Sequence, residues 1–298
     1  MTSPQPTDPA VCRHRLGARL RELRQARGLR MDESAAALGV VPSTLSRIET
    51  GKAPARAGYV RVLLDLYGLD DHGQRQALAG LAAHGRQDNW CAGAADLLSP
   101  VAIRYLGLET AAACIRQFAA SVIPGLLQTP GYAIAAWQAA RPGLTPAQAD
   151  RLAVITIGRH KNLAPHTALH VVIDETALRR PVGTACIMAD QLDHLAAAAG
   201  DASVTVQVLP LAVPWPVLSP PFTLLTFDTD PDAACAPDPA GRPALITAPR
   251  AVGARRAAFD ALTAAALPPA QSAALISRLA EHMCPCPPPG KGSHHAAA

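Results

Sequence analysis

Gly28, Gly39 and Gly51 cut the stretch from residue 13 to residue 51 into three short segments of helical period. In "RLGARLRELRQARG", Leu16, Leu20 and Leu23 recur at four- and three-residue spacing, and Gly28 fits a C-terminal cap. "MDESAAALG" turns Ala35 and Leu38 inward, and "PSTLSRIETG" puts Leu45 and Ile48 on one face. A fourth segment, "AGYVRVLLDLYGL", lines up Val60, Leu63, Leu64 and Tyr67. Helices this short cannot bury an apolar stripe alone. Connections of a few residues force them to pack on one another, which makes a small all-α bundle. "HGQRQALAGLAAHG" continues as a fifth helix or helical link.

The third segment carries the chemistry. With Leu45 and Ile48 packed inward, Ser43, Thr44 and Arg47 face outward together. A short helix held in that way fits the major groove of B-DNA, about 12 Å wide. Arg47 can donate two hydrogen bonds to O6 and N7 of guanine, and Ser43 can reach a base edge from the helix N-terminus. Thr44 and Ser46 suit phosphate oxygens, and Lys52 can meet the backbone as a point charge. The plain alternative is a bundle with a solvated polar face.

Residues 16–69 resemble the repressor-type (XRE/Cro) helix-turn-helix family, with Ser-x-x-Ser-Arg-Ile-Glu-x-Gly as the specific element. The resemblance implies a lambda-repressor-like fold, base reading by Ser43 and Arg47, and phosphate contacts by Thr44, Ser46 and Lys52. It implies that Glu49 pairs with Arg24 to set the angle of the third helix. If that pair is exposed, it contributes only about 0–1 kcal/mol and its value is geometric. Two departures stand out. Val41 occupies the usual Ser or Thr cap, at a cost of roughly 1 kcal/mol that Pro42 at the first helical position partly offsets. Pro42 also stands where many relatives carry Gln. Arg30 and Met31 depart in the same way at the second helix.

Downstream the period changes. "ALHVVID" (168–174), "SVTVQVLPL" (203–211), "FTLLTFD" (222–228) and, more weakly, "PALIT" (243–247) read as strands. Helical patterns fall at 145–163, 186–199, 251–266 and 269–283. The expected class is multidomain: an all-α helix-turn-helix domain at the N-terminus, then a mixed α/β domain. The expected boundaries are a flexible arm at 1–12, the helix-turn-helix domain at 13–72, a helical linker at 73–95, an α/β effector or partner-binding domain at 96–283, and a disordered tail at 284–298.

"SVIPGLLQTPGYA" (121–133) is punctuated by Pro124, Gly125, Pro130 and Gly131, so Leu126 and Leu127 are either buried or bind something. This segment resembles a motif of the actinobacterial WhiJ-like or antitoxin-like helix-turn-helix regulators. So do "NWCAGAADLLSPVAIRYLGLETAAACIRQF", "VVIDETALRRPVG", "MADQLDHL" and "VTVQVLPL". The family's acidic-aromatic stretch is replaced here by "PDAACAPDPAGRP", and its Arg-Gln near 159–162 by "RHKN". The resemblance implies a regulator, often encoded beside a small opposing protein. Leu126 and Leu127 are the expected contact for that partner.

No nucleotide-binding glycine loop, nucleophile elbow or zinc-protease motif occurs, so no catalytic residue and no cofactor is assigned. Cys284 and Cys286 with His294 and His295 lack the spacing of structural zinc sites, and no metal is assigned. Asp174-Glu175 reads as a helix start, and His160, His166, His170 and His194 as scattered. The seven cysteines are odd in number and mostly far apart, as in a reducing compartment. Residues 1–72 carry eleven Arg/Lys against eight Asp/Glu, and the remainder sixteen against fifteen, so the small excess sits with the bundle. The N-terminus reads as no secretory signal, and no apolar run approaches a membrane span.

The expected function is a sequence-specific, cytoplasmic transcriptional regulator of the repressor or antitoxin-like type. It binds double-stranded DNA as a homodimer and a small companion protein or ligand through its C-terminal domain; it is not an enzyme. Two other classes stay open at this point. One is an enzyme whose α/β domain is targeted by DNA. The other is an interaction protein whose helix-turn-helix has lost DNA binding.

Overall fold

The computed structural model describes residues 9–86, 91, 94, 96–164, 166–213, 220–228, 231–237 and 243–283. Part of the expected arm (1–8), part of the expected linker (87–90, 92, 93, 95) and the expected tail, with Cys284, Cys286, His294 and His295, lie outside the described residues.

Five helices come first: α1 (Pro9–Ala26), α2 (Met31–Ala37), α3 (Pro42–Glu49), α4 (Ala57–Leu66) and α5 (His72–His84). α1 begins earlier than the expected end of the arm at residue 12. Pro9 suits a first helical position, and Val11 and Cys12 are buried. Leu16, Leu20, Ala35, Leu45, Ile48, Val60, Leu63, Leu64 and Tyr67 form one core, with Leu23 and Leu38 packed at its edge. Burial of a leucine-sized side chain stabilises by about 1.5–3 kcal/mol, which offsets the poor intrinsic stability of such short helices. Arg27 stitches the bundle, donating from Nε to the Tyr67 carbonyl at 2.7 Å and from Nη2 to the Gly68 carbonyl at 3.0 Å.

The chain divides into two compact units, one of Met1–Phe118, Gly158–His170 and Val217–Ala261, the other of Ala119–Ile157, Val171–Pro216 and Leu262–Ala298. Among the described residues, the strands of the first unit lie side by side in a sheet, in chain order. Besides the five-helix bundle, the first unit holds α6 (Pro100–Glu109), β1 (Cys114–Ala119) up to Phe118, β4 (Phe222–Thr226), β5 (Ala233–Pro237), β6 (Pro243–Ile246) and most of α11 (Pro249–Ala265). Its strands pair antiparallel, with Phe118 opposite Phe222, Leu224 opposite Ala234, and Ala234 opposite Ile246. Phe222 lies 6.3 Å from Phe118 and 6.5 Å from Phe259 of α11, centroid to centroid, and so joins that helix to the sheet.

The second unit holds α7 (Pro130–Ala140), most of α8 (Pro146–Lys161), the end of β2 (Ala168–Asp174), α9 (Glu175–Arg179), α10 (Ala185–Ala198), β3 (Val204–Leu209) and α12 (Pro269–Met283). α10 packs along α12, and α12 lies on β3. There the Ser272 hydroxyl accepts from Val208 N–H at 2.9 Å and donates to the Leu267 carbonyl at 3.1 Å. The helical region followed by a mixed α/β domain matches the expected class. β2, β3, β4 and β6 stand where strands were expected, and α8, α10, α11 and α12 where helices were. β1, β5, α6 and α7 were not anticipated.

Candidate nucleic-acid interface

α3 is eight residues long and has a clear inside and outside. Leu45, Ile48 and Glu49 are buried, Ser43 and Arg47 are exposed, and Thr44 and Ser46 are half-buried. Ser43 and Arg47 stand four residues apart and so share one helix face. Lys52, three residues past the helix, is exposed. The chain turns there at Gly51, with φ at +65°, and a Cβ would lie 3.0 Å from the His14 Cα. Glycine meets both conditions without strain.

The helix starts as its sequence departures imply. Val41 takes the cap position in extended conformation with no side-chain hydrogen bond, and Pro42 opens the helix. Pro42 contributes no N–H, and Thr44 N–H donates to the Val41 carbonyl at 2.9 Å. At α2 the Arg30 side chain has no acceptor atom and caps nothing. The Glu33 carboxylate reaches back instead, accepting from Arg30 N–H at 2.7 Å.

Beneath the exposed face, Arg24 and Glu49 form a bidentate pair. Nε donates to Oε1 at 2.7 Å and Nη2 to Oε2 at 2.9 Å, while Nη1 donates to the Leu29 carbonyl at 2.9 Å. The side chains are only 10% and 2% exposed, so this is a buried ion pair rather than a surface one. It ties α1, the turn after it and the end of α3 into one geometry. The Glu49 hydrogen bond raises the Arg24 pKa above its ordinary value, against the opposing effect of burial.

Gly17 is the positioning residue that sequence reasoning missed. A Cβ there would stand 2.5 Å from the Ile48 carbonyl oxygen and 2.6 Å from that of Glu49, so α1 and the end of α3 touch backbone to side. Glycine inside a helix costs about 1 kcal/mol relative to alanine, and its place within "RLGARL" was the available signal. Gly17→Ala is expected to destabilise the protein by about 1–3 kcal/mol in urea unfolding, because the clash is with backbone. A variant as stable as the parent would show that α1 and α3 adjust freely.

Charge around the bundle is partitioned. Arg19 pairs with Glu22, Arg30 with Asp32 and Glu33, and Arg75 with Asp65. Among the described residues no carboxylate pairs with Arg21, Arg47, Lys52, Arg56 or Arg61, all exposed; Arg56 lies over the Tyr59 ring. Such cations remain available for phosphate and base edges.

The second unit corrects one expectation. Leu126 and Leu127 occupy a single turn of 3-10 helix and are 6% and 3% exposed. Little of either side chain reaches the surface. The loop is anchored by Gln191 of α10, whose amide donates to the Leu127 carbonyl and accepts from Thr129 N–H, both at 2.7 Å. Gln128 adds a bond to the Ile123 carbonyl at 2.7 Å. The punctuated loop is therefore a packed element, and "MADQLDHL" is the segment that holds it. Asp174 caps α9 by accepting from Thr176 N–H at 2.8 Å, and Glu175 takes Arg179 and Leu211 N–H, so both acids are structural.

The first unit buries a second ion pair. Arg159 donates from Nε to Glu109 Oε2 at 2.8 Å and from Nη2 to Oε1 at 2.6 Å, and the Tyr105 hydroxyl donates to Oε1 at 2.5 Å. Burial, then the Glu109 charge, holds Tyr105 well above its ordinary pKa and pushes the Cys235 thiol up to about 11. A thiol so protonated is a poor nucleophile at neutral pH. Among the described residues no three His, Cys, Asp or Glu side chains gather as a metal site requires.

Two family models match the chain: a helix-turn-helix domain over residues 15–78, and a domain of unknown function (DUF5753) over residues 103–278. No curated protein and no solved structure matches it. The helix-turn-helix match supports DNA as a partner, and among the described residues no helix is long and apolar enough to cross a membrane. With the second match spanning more than half of its length, the chain belongs to the DUF5753 family and carries that domain behind a helix-turn-helix domain.

Proposed function

We propose that the protein is a sequence-specific transcriptional regulator of the repressor or antitoxin-like type, and not an enzyme. It acts in the cytoplasm as a homodimer on two DNA half-sites about 10 bp apart or a multiple of that. Its C-terminal domain receives a small companion protein or ligand. The observation that carries the DNA reading is the exposed Ser43–Arg47 face of α3, held at a set angle by the buried Arg24–Glu49 pair.

Arg47 acts as the guanine reader and Ser43 as a second base contact. Thr44, Ser46 and Lys52 position the helix on phosphates. Arg47→Ala is expected to cost about 1–3 kcal/mol on a site selected from random duplex DNA and to relax preference at one base pair. Lys52→Ala is expected to weaken all sequences alike and to lower the slope of log K against log salt by about 1. Equal losses on selected and random DNA for Arg47→Ala would remove its reading role.

A further inference from the structure

Val41 is 62% exposed, one of the two most exposed large apolar side chains among the described residues. The other, Val154, lies on α8 away from any helix start. A single exposed valine is ordinary on a protein surface. The position of Val41 is not ordinary. It caps α3, the helix that presents Ser43 and Arg47, and the exposed ring of Pro42 stands beside it. A hydroxyl at this position would accept a hydrogen bond from the helix N-terminus. The chain forgoes that bond and shows a branched apolar group at the leading end of the helix. Val40, the residue before it, turns the other way and packs against the bundle core, so the backbone has already separated the two valines into an inner and an outer one.

Base edges in the major groove present donors, acceptors and one apolar group, the C5-methyl of thymine. 5-Methylcytosine carries the same group. Resting on the DNA-binding reading above, we propose that Val41, flanked by Pro42, is a specificity-determining residue that packs on a C5-methyl group in each half-site. Recognition is then divided: Arg47 reads a guanine by hydrogen bonds, and Val41 reads a methyl by contact. Pro42 has no backbone N–H and no polar side-chain atom, so positions 41 and 42 together offer the groove apolar surface.

The test uses the full chain and a duplex selected from a random pool. Each thymine of that duplex is replaced in turn by deoxyuridine, which removes only the methyl. At one thymine or more per half-site, the wild-type protein is expected to bind about four-fold more weakly, the order for burying one methyl. Val41→Ser is expected to lose this sensitivity while keeping its circular dichroism spectrum and its Arg47-dependent guanine preference, and Val41→Ile to retain it. Placing cytosine or 5-methylcytosine at the same position separates the two methyl sources: a methyl-dependent gain in the wild type and none in Val41→Ser assigns both, and a gain absent from both proteins confines the contact to thymine. Deoxyuridine tolerated at every position, or an equal penalty in Val41→Ser, overturns the proposal while leaving DNA binding in place. A pool that yields no enriched sequence overturns the DNA reading itself.

Discussion

Glu49→Ala is expected to destabilise the protein by about 3–5 kcal/mol, because it strands a buried guanidinium without its anion. Arg24 loses both carboxylate bonds and keeps only the Leu29 carbonyl. Urea unfolding of the full chain reads the loss directly, and the affinity for a selected DNA site should fall with it. The double variant Arg24→Met with Glu49→Leu is expected to regain much of the stability, since an apolar replacement of similar volume removes both desolvation costs. The double variant should nevertheless read DNA poorly, because nothing then sets the angle between α1 and α3. A loss below about 1 kcal/mol for Glu49→Ala would mean that the pair behaves as a surface contact.

Arg159→Ala is expected to cost a similar amount, about 3–5 kcal/mol, by leaving the Glu109 carboxylate buried beside Tyr105. Burial pulls the Arg159 pKa down, but the Glu109 charge and the Tyr105 and Glu109 hydrogen bonds more than offset it, so the guanidinium stays charged at any working pH. The alkaline side has its own signature. Cys235 shifts from 9.0 to about 11 in the folded state, because burial and the Glu109 charge disfavour the thiolate. A raised folded-state value means that its contribution is complete below pH 9.0 and is lost as pH rises through about 11. Cys235→Ala is expected to flatten the decline of stability across that window in a pH series of unfolding curves. An unchanged decline would show that the thiol meets the same surroundings folded and unfolded.

How far the chain could be read in advance differed between its halves for a physical reason. The bundle was legible because its information is local. Leu16, Leu20, Leu45, Ile48, Leu63 and Leu64 sit at helical spacing, and Gly28, Gly39 and Gly51 all stop a helix at positive φ. Among the strands, β3 and β4 announced themselves by runs of Val, Leu and Phe. β5, "AACAP", offers alanines, a cysteine and a proline, none of which favours extended backbone. Its strand state comes from β4 on one side and β6 on the other. β1, "CIRQFA", was masked by Arg116 and Gln117, which are half-buried across from Leu224 and Thr223. Leu126 and Leu127 could have been an anchor or a contact. Gln191, 64 residues from Leu127, decides between the two.

The sequence by itself determined the helical period of the N-terminal segments, the stops between them, and the residue types at Ser43, Arg47 and Lys52, because each depends on neighbours within a turn or two. Tertiary structure alone decided the rest. It buried the Arg24–Glu49 pair, which turns a weak surface contact into a strong constraint, and it pressed Gly17 against the α3 backbone. It left Val41 in the open and closed the core over Leu126 and Leu127. Burial depends on what distant segments bring to a site. The spacing of residues along one helix sets which side chains share a face, and only the packed fold sets which of those faces meets water.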